Sequence, residues 1–299
     1  MCPERFARPL VYSLLINCSV ALADVTTAVA DKSTENRQSG RDHPALWEIG
    51  AGFVVAHTPS YPAADQMSFN ALPVPVVIYR GRIFRAGDGS VVSGRLLSSP
   101  RLELDISLRG SFDADSDDVD TRQGMPDLGF MFEVGPELEV RLNDPAAKNS
   151  VVKLELPLRA AFSIDNSDLN SRGLVFNPGL EFEKTGVFGD GSELSVSMSS
   201  SFATEKLMAY FYEVEPRFSV PNRPPYEAQR GYLGSSLGIS LSQRKRNRFA
   251  IAGIRFHNHA GAANDASPLF ESPRNWSVFA GIIWYVWESD RRAPECDSP

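Results

Sequence analysis

Between Leu102 and Phe112 the chain alternates apolar and polar side chains one by one, with Leu102, Leu104, Ile106 and Leu108 on one parity and Glu103, Asp105, Ser107 and Arg109 on the other. A period of two sends the two sets to opposite faces of an extended strand, a division no helix can make. The pattern recurs at Phe132, Val134, Leu138 and Val140 against Glu133, Glu137, Glu139 and Arg141. It returns at Val152, Leu154, Leu156 and Leu158 against Lys153, Glu155 and Arg159, and at Leu194, Val196 and Met198 against Glu193 and four serines. Two further apolar rows lie near the ends: Trp47, Ile49, Ala51, Phe53 and Val55, then Trp276, Val278, Ala280, Ile282, Trp284 and Val286. No long 3.6-residue or heptad period competes with them, and 22 glycines and 21 prolines suit strands and turns.

The N-terminus reads as an export signal. Arg5 and Arg8 precede an apolar run from Pro9 to Ile16, and Ala21-Leu22-Ala23 has the small-x-small pattern of a cleavage site, so the mature chain is expected to begin near Asp24. A membrane anchor over 9–23 would be too short and too polar at Asn17 and Ser19. Residues 24–45 are charged and poor in apolar side chains, which predicts a disordered periplasmic lead-in. The barrel is expected over 46–288 and a polar tail over 289–299. Cys2 and Cys18 leave with the signal, so Cys296 alone remains and no intramolecular disulfide can form. The formal net charge of −7, which grows more negative when the signal leaves, argues against a nucleic-acid partner.

Strands are expected at 46–57, 70–80, 82–86, 90–97, 101–112, 128–142, 151–164, 172–185, 192–203, 229–243, 249–258 and 276–288. Their connections sort by length: 58–69, 113–127, 204–228 and 259–275 fall on one side and tight turns on the other, as in an outer-membrane barrel with long outer loops and short periplasmic turns. Fold class is therefore all-β, a single antiparallel transmembrane β-barrel of about twelve strands, or ten if the third and fourth fail to form. A soluble barrel would invert the alternation. The export signal, the lack of an apolar span for a helical bundle, and aromatics at strand ends (Trp47, Tyr79, Phe112, Trp276, Tyr285 and Trp287) favour the membrane. Glu103, Arg109, Glu133, Glu137, Glu139, Arg141, Lys153, Glu155 and Arg159 then face the lumen, where close quarters require pairing or hydration. The expected state is a monomer in contact with outer-membrane lipid and lipopolysaccharide.

Tyr61-Pro62-Ala63-Ala64-Asp65-Gln66, then Leu72-Pro73-Val74-Pro75 and Tyr79-Arg80-Gly81, followed much later by Ser267-Pro268-Leu269 before a closing aromatic strand, resembles the MipA/OmpV family of outer-membrane proteins. The resemblance covers essentially the whole mature chain. It implies a twelve-stranded outer-membrane barrel whose best-known member is described as a scaffold joining a lytic transglycosylase to a murein synthase. Other members are discussed as porin-like proteins, adhesins or antigens. Two departures stand out: twelve mostly polar residues follow Trp287 where family chains end on an aromatic, and Ala203 to Glu215 contains no glycine.

Chemistry is sparse. The loop Asp113-Ala114-Asp115-Ser116-Asp117-Asp118-Val119-Asp120 offers alternate oxygen ligands but fails as an EF-hand, with Asp118 at the sixth position and Gly124 at the twelfth. His257 and His259 share a face and could pair on a metal or serve acyl chemistry, yet no Gly-x-Ser-x-Gly elbow exists to go with them. No enzyme, metal or cofactor is expected. Arg244, Lys245, Arg246 and Arg248 form a basic turn on the periplasmic side, the candidate docking point for an acidic partner such as a murein enzyme. The function expected is a non-enzymatic interaction scaffold for proteins that synthesise and hydrolyse murein. The alternatives are a narrow porin or an adhesin acting through its outer loops.

Overall fold

A computed structural model describes residues 45–80, 84–86, 93–94, 97–111, 113–147, 149–165 and 168–291. The expected signal, most of the lead-in, the turn at 87–89, Phe112, and the tail from 292 onward lie outside the described residues. The strands are β1 (Trp47–Pro59), β2 (Met67–Arg80), β3 (Phe84–Ala86), β4 (Ser93–Gly94), β5 (Leu97–Ser98), β6 (Leu102–Ser111), β7 (Phe130–Arg141), β8 (Ser150–Asp165), β9 (Asp168–Phe176), β10 (Gly179–Thr185), β11 (Ser192–Ala203), β12 (Gly231–Lys245), β13 (Arg248–Asn258) and β14 (Arg274–Glu288). One helix, α1 (Glu205–Tyr212), interrupts them. All fourteen strands belong to one sheet of antiparallel neighbours, in which β1 pairs with β14 from Glu48↔Glu288 to His57↔Val278 and β4 and β5 both lie against β6. The sheet therefore curls into a barrel.

The described strands number fourteen against an expectation of about twelve, and the differences are local. The single strand expected at 172–185 begins at Asp168 and is cut at Asn177-Pro178, so β9 and β10 run end to end between β8 and β11. Pro178 cannot donate to a ladder. The strand expected at 90–97 is represented by the short β4 and β5.

Side-chain alternation gives two surfaces. Phe53, Leu158, Ile254 and Trp276 point outward and are about half exposed, whereas Val54, one residue from Phe53, is fully buried. Trp47 and Trp287 meet edge to face at 5.3 Å on the outer surface, in the position of an interfacial girdle. Tyr285 departs from the expected girdle: it is 7% exposed and turned inward. A register shift at Ile49/Gly50 pairs Ile49 with Trp287 and Gly50 with Tyr285, which leaves Val286 as an extra residue and lets Val286 and Trp287 both face out. Among the described residues no helix is long and apolar enough to cross a membrane. The start of the polar tail is structured, with Ser289 N donating to Trp47 O at 2.9 Å and Leu46 N to Arg291 O at 2.8 Å, so residues 289–291 lengthen the seam between first and last strands.

Candidate functional site

The charged lumen occupies one wall. On β6, β7, β8 and β10 the inward parity places Asp105, Arg109, Glu137, Glu139, Lys153, Glu155, Arg159, Glu181 and Glu183 around a polar cavity of about 170 Å³. Arg159 meets Glu137 at 2.5 Å and donates through Nε to Ser107 Oγ at 2.7 Å. Lys153 meets Glu183 at 3.1 Å and Glu139 at 4.0 Å. Carboxylate oxygens of Glu137, Glu139 and Glu155 lie within 4.8 Å of one another. Three carboxylates could ligate a hard cation, but Lys153 and Arg159 already bring positive charge to the group. Of the other residues expected in the lumen, Arg141 donates to Asn143 Oδ1 at 3.3 Å and Ala147 O at 3.1 Å in the hairpin turn, and Glu133, on the same inward parity, lines a second cavity higher in the barrel. Glu103 faces Glu139 across the ladder but does not line the cavity. Serines of β11 and β12 continue the polar lining, with Ser195 donating to Glu181 at 2.6 Å and Ser199 3.0 Å from Ser236.

The opposite wall is apolar on both faces, which the expectation of a charge-filled lumen missed. Val54, Ala56, Val76, Ile78, Phe249, Ile251, Phe279 and Ile283 of β1, β2, β13 and β14 pack together inside. The signal was legible in the unbroken apolar runs Val76-Val77-Ile78 and Phe279 to Trp287, since a strand buried on both faces loses its alternation. Beside this cluster Arg244 pairs with Glu48 at 2.6 Å, both side chains about one-tenth exposed, and its guanidinium lies 4.3 Å from the Tyr285 ring. Arg244 therefore braces the inside of the barrel, and only Lys245, Arg246 and Arg248 of the basic turn are exposed. These three border a surface cleft with Asp190 and Trp284.

The four long connections do not spread into solvent. They fold together into a cap over one mouth of the barrel, with an apolar core formed by Tyr61 and Ala64, Val119 and Leu128, α1, and Leu269. α1 forms because Leu207, Met208, Phe211 and Tyr212 repeat at helical spacing, and all four are buried in that core. Thr204 at its N-terminus turns its hydroxyl to accept from Leu174 N at 2.9 Å, tying the helix to β9. A Cβ at Gly173, which has a φ of +99°, would sit 2.2 Å from that hydroxyl, so only glycine suits the position.

Buried polar groups staple the loops. Tyr61 donates to Leu269 O at 2.7 Å, Tyr212 to Pro62 O at 2.9 Å, Ser267 to Tyr212 O at 2.7 Å and Asn275 to Ala64 O at 2.5 Å. Ala63, held at a φ of +63°, accepts from the backbone of both Glu271 and Ser272. Residues singled out 200 positions apart, Tyr61, Pro62 and Asp65 with Ser267, Pro268 and Leu269, thus share one construction, and Asp65 joins it through its backbone N–H to Glu271. Arg122 is 3% exposed and donates to Ser116 Oγ, Phe211 O and Pro126 O. Arg223 bridges Phe218 O to Thr121 O and Gln123 O. Burial pushes the Tyr61 and Tyr212 phenols above their ordinary value, and Tyr210 is pushed up to about 12 by burial and by Asp165. These tyrosines stay neutral donors.

Leu72, Pro73 and Pro75 serve a different end. They lie on β2, where Pro73 and Pro75 face outward opposite Phe53 and Ala51. Tyr79 and Arg80 close that strand, and Gly81 lies outside the described residues. The acidic loop is a pair of tight turns: Asp115 Oδ1 accepts from Asp117 N at 2.9 Å and Asp127 Oδ1 from Ser116 N at 2.8 Å. Asp113 has its carboxyl raised by burial and by Asp115 and Asp127. His257 and His259 do share a face, with rings stacked at 6.2 Å. Each has its own partner, Ser277 Oγ at 3.0 Å and Leu233 O at 2.8 Å.

Between cap and charged lumen lies a second cavity of about 160 Å³, bounded above by Leu207, Tyr210 and Phe211 and below by Arg109 and Arg255. A closed antiparallel barrel with an apolar outer surface, aromatic ends and a polar lumen is an outer-membrane β-barrel. The chain matches the family described as MltA-interacting protein MipA over residues 49–286, and it belongs to that family. Solved structures similar to it include an outer-membrane channel from Pseudomonas putida F1, at 11% identity over 82% of this chain and 98% of that one with a TM-score of 0.44. A bacterial polysaccharide outer-membrane secretin matches at 9% identity over 81% and 99%, TM-score 0.39. The CymD monoaromatic hydrocarbon channel matches at 8% identity over 88% and 98%, TM-score 0.39. No curated protein matches the sequence.

Proposed function

We propose that this outer-membrane barrel is a non-enzymatic, monomeric interaction scaffold of the cell envelope whose periplasmic turns dock proteins that build and cut murein. The cap carries the reading: an apolar core over the outer mouth, stapled by Tyr61, Arg122, Tyr212 and Arg223, suits a barrel that holds its shape better than one that passes solutes. The family description, MltA-interacting protein, supports a murein enzyme as the partner class. The docking element is the exposed trio Lys245, Arg246 and Arg248, which offers an acidic partner three cations on a tight hairpin. Planar-bilayer recording of the purified protein tests the closed state: the scaffold reading expects no steady conductance.

A narrow channel is the second reading, favoured by the polar cavity among Glu137, Lys153, Arg159 and the β11 serines. Steady, salt-dependent conductance from the intact protein would shift the conclusion to it. Compact folding of the long loops on one another leaves little mobile surface for an adhesin.

A further inference from the structure

The cavity beneath the cap is lined unlike the charged lumen below it. Leu207 and Phe211 of α1 and Leu128 and Met131 give it apolar walls, and Glu133 of β7 is the one carboxylate among its described lining residues. Glu133 is 8% exposed, and its Oε2 accepts no hydrogen bond among the described residues. The contrast with deeper carboxylates is direct, since Glu137 is held by Arg159 and Glu183 by Lys153. Arg109 stands opposite Glu133 in the β6–β7 register, yet the described residues hold no ion pair between the two. A buried carboxylate on a cavity wall, with one oxygen lacking a donor from the protein, is relieved by a donor that a ligand brings to it.

The walls decide which donor. The lining adds neutral oxygens from Ser199, Ser201, Ser235 and Ser236 but one carboxylate only, against two arginines, a poor balance for a hard cation. The apolar walls suit a hydrocarbon body, and about 150 Å³ of apolar cavity is known to hold a benzene ring. A charged nitrogen satisfies Glu133 with a charge-assisted hydrogen bond. Arg255 on the floor disfavours the nitrogen deeper in the barrel. We propose that this vestibule binds a small amphipathic amine, with its ammonium on Glu133 and its apolar body against Met131, Leu128, Leu207 and Phe211. The site is independent of the docking turn at the other end of the barrel.

The test titrates the full mature protein in detergent with 2-phenylethylamine, its neutral counterpart 2-phenylethanol, and 3-phenylpropanoate, read by calorimetry. The wild type should prefer the amine to the alcohol by about tenfold, the scale of a charged hydrogen bond, and bind the carboxylate weakest. E133Q, checked for the heat-modifiable gel migration of a folded barrel, should lose the amine preference and keep alcohol binding. R109A should retain it. Equal binding of amine and alcohol by the wild type, or tightest binding of the carboxylate, would overturn the proposal without needing any variant to fold. An amine preference that survives E133Q would overturn it as well.

Discussion

Replacing Arg122 by alanine should open the cap. Its guanidinium reaches Ser116 Oγ at 3.3 Å, Phe211 O at 3.3 Å and Pro126 O at 3.1 Å, and lies 5.7 Å from the Tyr61 ring. Ser116 donates to the same Pro126 carbonyl at 2.7 Å, so that acceptor keeps one partner, and Phe211 O at the end of α1 is the group most exposed to loss. A buried polar group left without its partner costs about 1–3 kcal/mol. With the stem's packing removed as well, R122A should weaken the cap by about 3 kcal/mol. The hydrogen-bond partners of Arg122 among the described residues all lie in the cap, so the loss should appear as local opening and spare global unfolding. Amide hydrogen exchange over α1 measures that opening, and about 3 kcal/mol corresponds to roughly a hundredfold faster exchange. R122K should recover little, because one ammonium cannot reach three separated acceptors as a planar fork does. If α1 exchanges at the wild-type rate in R122A, the cap is not held by this residue and the account of the closed mouth fails.

R244A should lower barrel stability by about 3–5 kcal/mol, since it breaks a largely buried pair with Glu48; R244A/E48Q together should cost less than R244A alone in urea titration, and strict additivity would refute the coupling. Gly52→Ala should cut the yield of folded, heat-modifiable barrel, because a Cβ there would lie 2.1 Å from Ile282 O across the closing seam; wild-type yield would contradict the register. The cap should loosen as pH falls below 6.5. Burial depresses the folded-state pKa of His259 below its ordinary 6.5, so the opened state binds the extra proton and stability drains with acidification; H259Q should flatten the trend in exchange rates. At the alkaline end Tyr210, held near 12, makes its contribution below pH 10 and loses it between 10 and 12, a loss that Tyr210→Phe should remove.

Alternation made the charged wall readable from the residues of β6, β7, β8 and β11, because each strand has one face in lipid and one in a polar lumen. It fails on β1, β2, β13 and β14, where part of the inner face is apolar as well: a single row is legible in β1 and in β14, and neither β2 nor β13 shows an alternation. Arg244 was misplaced for a simple reason: β12 continues to Lys245, and the parity of Ser240 and Ser242 carries Arg244 inward. The family residues Tyr61 and Ser267 to Leu269 were visible as a pattern, but their meeting depends on four loops converging, and loop packing has no period. Helix α1 did have one, in Leu207, Met208, Phe211 and Tyr212, hidden inside a long connection. Glu133 lay on the same parity as Glu137 and Glu139, and only the cap above it sets it apart.

The most direct test of the scaffold is a pulldown from solubilised envelopes with the intact protein as bait. It compares the wild type with a variant in which Lys245, Arg246 and Arg248 are neutralised and Arg244 is kept to preserve its pair with Glu48. Recovery of murein enzymes by the wild type and its loss in the variant is the predicted result. Recovery of no murein enzyme by a folded wild-type barrel would contradict the account.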